Sequence, residues 1–183
     1  REVLVEERSD ASEESQSEPA TLEVARVPES ETVDSVLSQV KVRVTDDAGT
    51  PLAGVLINLT VSRESGSLDG SKEDMTVETR EDGVSTFDWH LPSNPGRCQI
   101  SARVHSQSGS DLQRTIQTRA VPGEPAQFSQ GGNNQGAEIG DALPKPLSVH
   151  ISDEYGNAVP NHPVDFQVSS GGGEFSNGEQ SMR

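Results

Sequence analysis

Residues 42–61 read VRVTDDAGTPLAGVLINLTV, and residues 149–168 read VHISDEYGNAVPNHPVDFQV. In the first stretch Val42 and Val44 alternate with charged residues. A turn signal of Asp, Gly and Pro follows, and then Ile57, Leu59 and Val61 alternate with Asn58 and Thr60. A period of two broken by turn residues is a strand–turn–strand. With Val42 set on Val149 and no gaps, Asp46 falls on Asp153, Gly49 on Gly156, Leu52 on Val159 and Ile57 on Val164. Leu59 then falls on Phe166, Val61 on Val168, Gly66 on Gly173 and Leu68 on Phe175. Apolar meets apolar and turn meets turn, and PATLEV (19–24) matches PAQFSQ (125–130) after a shift of one residue. A period of roughly a hundred residues is that of tandem domains rather than of a solenoid.

Working outward, the same texture continues. Leu22 and Val24 alternate before the opening phrase, and Val40 joins Val42 and Val44 on one face. After it, Leu68 reads as an inward plug in SGSLDGS. MTVETREDGVSTFDWHL reads as a hairpin, with Met75 and Val77 leading through Glu81-Asp82-Gly83 to Phe87, Trp89 and Leu91. Cys98, Ile100, Ala102 and Val104 share a face, and a last polar hairpin carries Ile116 and Ala120 to the Pro/Gly hinge VPGEP. About seven short strands between turn signals are expected of a β-sandwich. The second copy has no counterpart of DGVSTFDWHL or RCQISARV, and SMR at 181–183 reads as mid-strand text.

The expected fold class is therefore all-β: tandem immunoglobulin-like β-sandwiches, the second one truncated. The expected divisions are an acidic, disordered linker over 1–18, a first sandwich over 19–121, and a second, incomplete one over 122–183. The linker rests on REVLVEERSDASEESQSE, whose Glu/Ser run cannot offset its ordering entropy; Val3, Leu4 and Val5 form a short apolar patch in it. The missing strands are expected either from a longer chain out of which this segment is cut or from a protein partner.

Composition fits this reading. Of 183 residues, 30% are hydrophobic and only 3% aromatic, which suits thin two-layer cores. The formal net charge of −16, from 14 basic and 30 acidic residues, repels phosphates and anionic lipids, so neither nucleic acid nor a membrane is an expected partner. No apolar run is long enough to span a bilayer. Cys98 is the single cysteine, so an intrachain disulfide is excluded, and its alternation with Ile100 and Ala102 points to a buried structural thiol.

VHISDEYGNAVPNHPVDFQVSSGGGEFSNG resembles the bacterial immunoglobulin-like domain of group 1, the invasin/intimin type. In that family a strand ending in Val-x-Asp is followed by Gly-Asn-Pro-Val, a Val-x-Phe-x-Val strand, then Gly-Gly-Gly and an aromatic residue. The likeness is close over 147–178 and looser over 40–104. There Pro51, Leu52, Ala53 and Gly54 keep the turn, but RESGSLDG replaces the triple glycine. TREDGVSTF (79–87) resembles the family's later hairpin. The resemblance implies a stalk module of cell-surface or secreted proteins, in which neighbouring Ig-like domains of the same chain are the partners.

No residue set announces catalysis. His90, His105, His150 and His162 are scattered and lack zinc-ligand spacing, and neither SGS nor GGG forms a nucleophile elbow or a phosphate loop. Asp46, Asp47, Glu81 and Asp82 are the calcium candidates, since hairpin-end carboxylates gather at a sandwich pole. EF-hand spacing is missing, and Asp46 and Asp153 read first as turn-builders. Asn58-Leu59-Thr60 is a formal glycosylation sequon on an outward strand position. No cofactor beyond that candidate calcium is expected. The first functional expectation is a non-catalytic spacer and assembly module of a larger cell-surface or secreted protein. The alternatives are an adhesion or recognition module, with Tyr155 as its ligand-binding candidate, and an accessory region of a larger enzyme.

Overall fold

A computed structural model describes residues 18–106, 109 and 111–183. The expected linker and its Val3–Leu4–Val5 patch lie outside the described residues, Glu18 excepted. Among the described residues the chain is all-β, with one 3₁₀ turn at Arg63–Ser65.

Nine strands build two facing sheets. They are β1 (Thr21–Val24), β2 (Ser30–Thr32), β3 (Val36–Thr45), β4 (Leu56–Val61), β5 (Ser67–Leu68), β6 (Asp74–Glu78), β7 (Val84–His90), β8 (Gly96–Val104) and β9 (Leu112–Val121). One sheet runs β1-β3-β7-β5 and the other β2-β9-β8-β4-β6; β2 lies parallel to β9, and every other pair is antiparallel. The two inner faces meet in one buried cluster, whose members all lie between Leu22 and Ala120. Val42 and Val44 of one sheet, and Ile57, Leu59, Cys98, Ile100, Ala102 and Val104 of the other, are fully covered. Each large apolar side chain so buried stabilises by about 1.5–3 kcal/mol. Cys98 sits here as a small hydrophobe, and burial pushes its thiol pKa up.

Two departures from the sequence reading concern pairing. Met75–Leu91 does not form a hairpin. The Glu81-Asp82-Gly83 turn closes as expected, with Gly83 N–H donating to Arg80 O at 2.9 Å. The flanking strands then part: Val77 of β6 faces Ile57 of β4, and Ser85 of β7 faces Val42 of β3, in opposite sheets. Thr79 commits β6 to its side, because its hydroxyl donates to Leu52 O at 2.6 Å and accepts the Val55 N–H at 2.9 Å. β3 is also longer than its Val40–Val44 alternation suggests. A register shift between Leu37 and Val40 puts both side chains inside. The shift places Gln39 at φ 54°, with its N–H donating to Asp88 Oδ1 at 2.8 Å.

Beyond Val121 come β10 (Gln127–Gly131), β11 (Ser148–Ser152), β12 (Phe166–Gln167) and β13 (Ser181–Met182), as two two-stranded ribbons. Their registers repeat those of the first copy. Phe128 faces Ile151 as Leu22 faces Val44, and Phe166 faces Met182 as Leu59 faces Met75. The isolated bridge Ser152–Ala158 repeats Thr45–Pro51. The doubled phrase is thus also a doubled pattern of pairing.

Candidate functional site

The turn after β11 reaches across to the first copy. Its sequence, Asp153-Glu154-Tyr155-Gly156-Asn157, closes on its first side chain: Asp153 Oδ1 accepts the N–H of Tyr155 at 3.0 Å and of Asn157 at 2.8 Å. Gly156 supplies the left-handed residue at φ 84° and donates its N–H to Asp153 O at 3.1 Å. An aspartate whose side chain mimics a backbone acceptor explains the local fold. Asp46 does the same in the first copy, accepting from Ala48 at 3.0 Å and Thr50 at 2.8 Å, with Gly49 at φ 81°.

Asp153 does more than Asp46. Its second oxygen, Oδ2, accepts the N–H of Gly123, the hinge glycine, at 3.0 Å, and the Asn157 side-chain amide at 2.9 Å. Only 1% of Asp153 is exposed. Burial pushes its carboxyl up, but the Asn157 side chain and the N–H groups of Gly123, Asn157 and Tyr155 outweigh that and hold it below the ordinary aspartate range.

Two neighbours in the turn reach the first copy directly. The Tyr155 hydroxyl donates to Asp34 Oδ2 at 2.7 Å, and Asn157 Nδ2 donates to Ser93 O at 2.8 Å. Both acceptors are prepositioned at one end of the sandwich, because Asp34 N–H donates to Pro92 O at 3.0 Å and Leu91 N–H to Ser35 O at 2.8 Å. Asp34 takes the left-handed conformation at φ 60°, unusual for a side-chain-bearing residue. The bond to Asp34, partial burial and the charges of Asp34 and Glu154 push the Tyr155 phenol up to about 12. These three attachments, through Gly123, Asp34 and Ser93, form a polar joint.

The other sequence candidates stand elsewhere. Asp46 is buried in its own turn, and Asp82 Oδ1 accepts the Val84 N–H at 3.0 Å. Asp47 and Glu81 are exposed. The turns carrying these four acids are neighbours, since Val44 N–H donates to Gly83 O at 2.9 Å. Even so, no three potential metal-ligating side chains converge among the described residues. His105 pairs with Asp111 at 3.0 Å on the surface, and Asn58 accepts the Thr76 hydroxyl at 2.8 Å. Tyr155, read from sequence as a ligand-binding candidate, has its hydroxyl in the joint and 43% of its surface exposed.

No protein-family model matches this chain, and no curated protein matches it.

Asp34, Ser93, Gly123 and Asn157 are the joint residues that sequence reasoning missed. One signal pointed to them: where the first copy's turn carries Ala48 and Thr50, the second carries the longer Tyr155 and Asn157. A turn that gains reach beside a Pro/Gly hinge has something to reach for.

Proposed function

We propose that the chain is a non-catalytic spacer and assembly module of a cell-surface or exported protein. In this reading Ig-like units follow one another in one polypeptide and hold a fixed relative orientation. The joint carries it: the turn's hydrogen bonds to Asp34 and Ser93 tie the two copies together, and Asp153 accepts the N–H of the hinge glycine between them. A flexible tether would gain nothing from a buried aspartate clamping its linker. The hinge itself has few freedoms, since Pro122 and Pro125 fix two of its φ angles. The resemblance of 147–178 to the group 1 bacterial Ig-like repeat supports the same role.

Residual dipolar couplings test the reading. One alignment tensor is expected to fit amides of both copies in the parent chain, and two in a Tyr155→Phe, Asn157→Ala double variant. Two tensors in the parent would sink the spacer reading.

A further inference from the structure

We infer that the outward face of β8 and β9 binds an acidic polysaccharide, a run of uronate sugars lying along the strands with carboxylates on Arg97, Arg103 and Arg119. This goes beyond the spacer reading and holds whether or not the joint is stiff.

Charge is spread unevenly over the sandwich. The chain carries 30 acidic residues against 14 basic ones, yet β4, β8 and β9 hold no acidic residue, and β8 and β9 together hold four arginines. Alternation sends Cys98, Ile100 and Ala102 inward, so Arg97, Gln99, Ser101 and Arg103 of β8 point out. Arg119 of β9 stands directly across from Arg97. Like charges in facing positions destabilise a sheet. No carboxylate relieves this pair: among the described residues Arg97, Arg103 and Arg119 enter no ion pair. Glu29 borders the same cleft but is paired with Arg26 at 3.4 Å. Across the sheet, carboxylates start only at β6, two strands from β8, with Asp74 and Glu78.

Neutral groups hold these arginines ready. Arg97 Nη2 donates to Gln117 Oε1 on the neighbouring strand, and Arg103 Nη2 donates to Gln113 Oε1 at 3.2 Å. Gln113 is itself fixed, its Nε2 donating to Ser101 Oγ at 3.1 Å. An amide acceptor orients a guanidinium without cancelling its charge, which lowers the ordering cost of binding an anion. Arg97, Gln117, Arg119 and Glu29 line a cleft of about 420 Å³, a size typical of small-ligand sites.

The rest of the face selects the class of ligand. Arg97 and Arg103 lie six residues apart on β8, a span of about 20 Å in a strand. Between and beside them stand Gln99, Ser101, Thr115 and Gln117, whose amides and hydroxyls match the hydroxyls of a sugar chain. A peptide docks on a sheet through an open edge or apolar anchors, but β8 is paired on both sides and its outward side chains are all polar. A densely sulfated chain or a nucleic acid carries more charge over that length than three arginines neutralise. The 30 acids of the chain repel the remainder. A uronate chain, its charges spaced by sugar rings, fits both the sparse cations and the polar rungs between them.

The test titrates the whole chain with a hexamer of galacturonic acid and reads the side-chain N–H groups by NMR. The Nε–H signals of Arg97, Arg103 and Arg119 are expected to shift at millimolar hexamer or below, and the methyl-esterified, uncharged hexamer is expected to leave them in place. Arg97→Gln, Arg103→Gln and Arg119→Gln together should weaken binding by about tenfold or more. Arg43→Gln makes the same kind of charge change at an exposed position of the other sheet and should leave binding as in the parent. Three results would overturn the proposal. The first is an absence of Nε–H shifts in the parent at millimolar hexamer. The second is equal weakening per charge by Arg43→Gln, which would make the effect one of bulk charge. The third is tighter binding of a sulfated hexasaccharide or of a hexaglutamate peptide, which would assign the face to a denser polyanion or to an acidic protein.

Discussion

The Tyr155 hydroxyl donates to Asp34 Oδ2 at 2.7 Å, across 121 positions of sequence and from one copy of the repeat to the other. Because the chain has a single tyrosine, this bond has its own spectroscopic signal. A phenol pKa raised to about 12, against about 10 in an unfolded chain, favours the neutral form in the folded state. Its contribution is therefore complete below about pH 10 and is lost as pH rises through about 12. Phenolate absorbance is expected to titrate near 12 in the parent. In Asp34→Asn, which keeps the left-handed backbone and removes the charge, the midpoint should move toward 10. An unshifted midpoint in that variant would break the assignment of Asp34 as the cause.

Asp153 gives the acid-side counterpart. Its carboxyl titrates below the ordinary aspartate range, so the bonds it accepts contribute fully above about pH 4 and are lost as pH falls through the depressed value. The Gly123 and Asn157 amide proton shifts are expected to titrate together, with a midpoint below the ordinary aspartate range. Asp153→Ala should speed exchange of the Gly123 amide on the order of tenfold, the loss of one bond to a charged acceptor. A Gly123 amide unaffected by either change would remove the hinge clamp.

Trp89 is fully buried and donates its indole N–H to Ser65 O at 2.8 Å. Trp89→Phe keeps an aromatic ring but leaves that carbonyl unpaired, at a cost of about 1–3 kcal/mol. Trp89→Ala adds a cavity and should cost about 3–5 kcal/mol. Urea titrations read by circular dichroism check the order, and equal midpoints for both variants would contradict it.

The glycines of the two copies predict opposite outcomes for one chemical change. Gly66 lies at φ 101° against the His90 backbone, so Gly66→Ala should destabilise by roughly 2–4 kcal/mol. Gly173→Ala has open space and should leave the melting midpoint unchanged. A large loss at Gly173 would mean that the second copy's bend is packed against something.

Alternation made the strands legible. The faces carried by Val40–Val44, Ile57–Val61 and Cys98–Val104 lie inside as their spacing requires, because one buried face imposes a period of two wherever it occurs. Pairing was legible only where the repeat or a tight turn fixed it. The Glu81-Asp82-Gly83 text suits a hairpin and an arch between sheets equally well. The choice fell to Thr79, whose partners Leu52 and Val55 lie far back along the chain. β2 escaped notice because Ser30, Glu31 and Thr32 carry no apolar alternation; they pair along an edge through backbone alone. The joint was the least legible part, since Asp34 and Ser93 acquire their role only once two turns at one end of the sandwich are brought together.

Asp46 and Asp153 share their turn, yet the residues that differ between these turns, Asp47 against Glu154, Ala48 against Tyr155 and Thr50 against Asn157, lie outside the buried cluster. Connection between neighbouring units is thereby separated from the folding of each. Substitution of Tyr155 and Asn157 therefore removes the bonds to Asp34 and Ser93 while leaving every residue of the buried cluster in place.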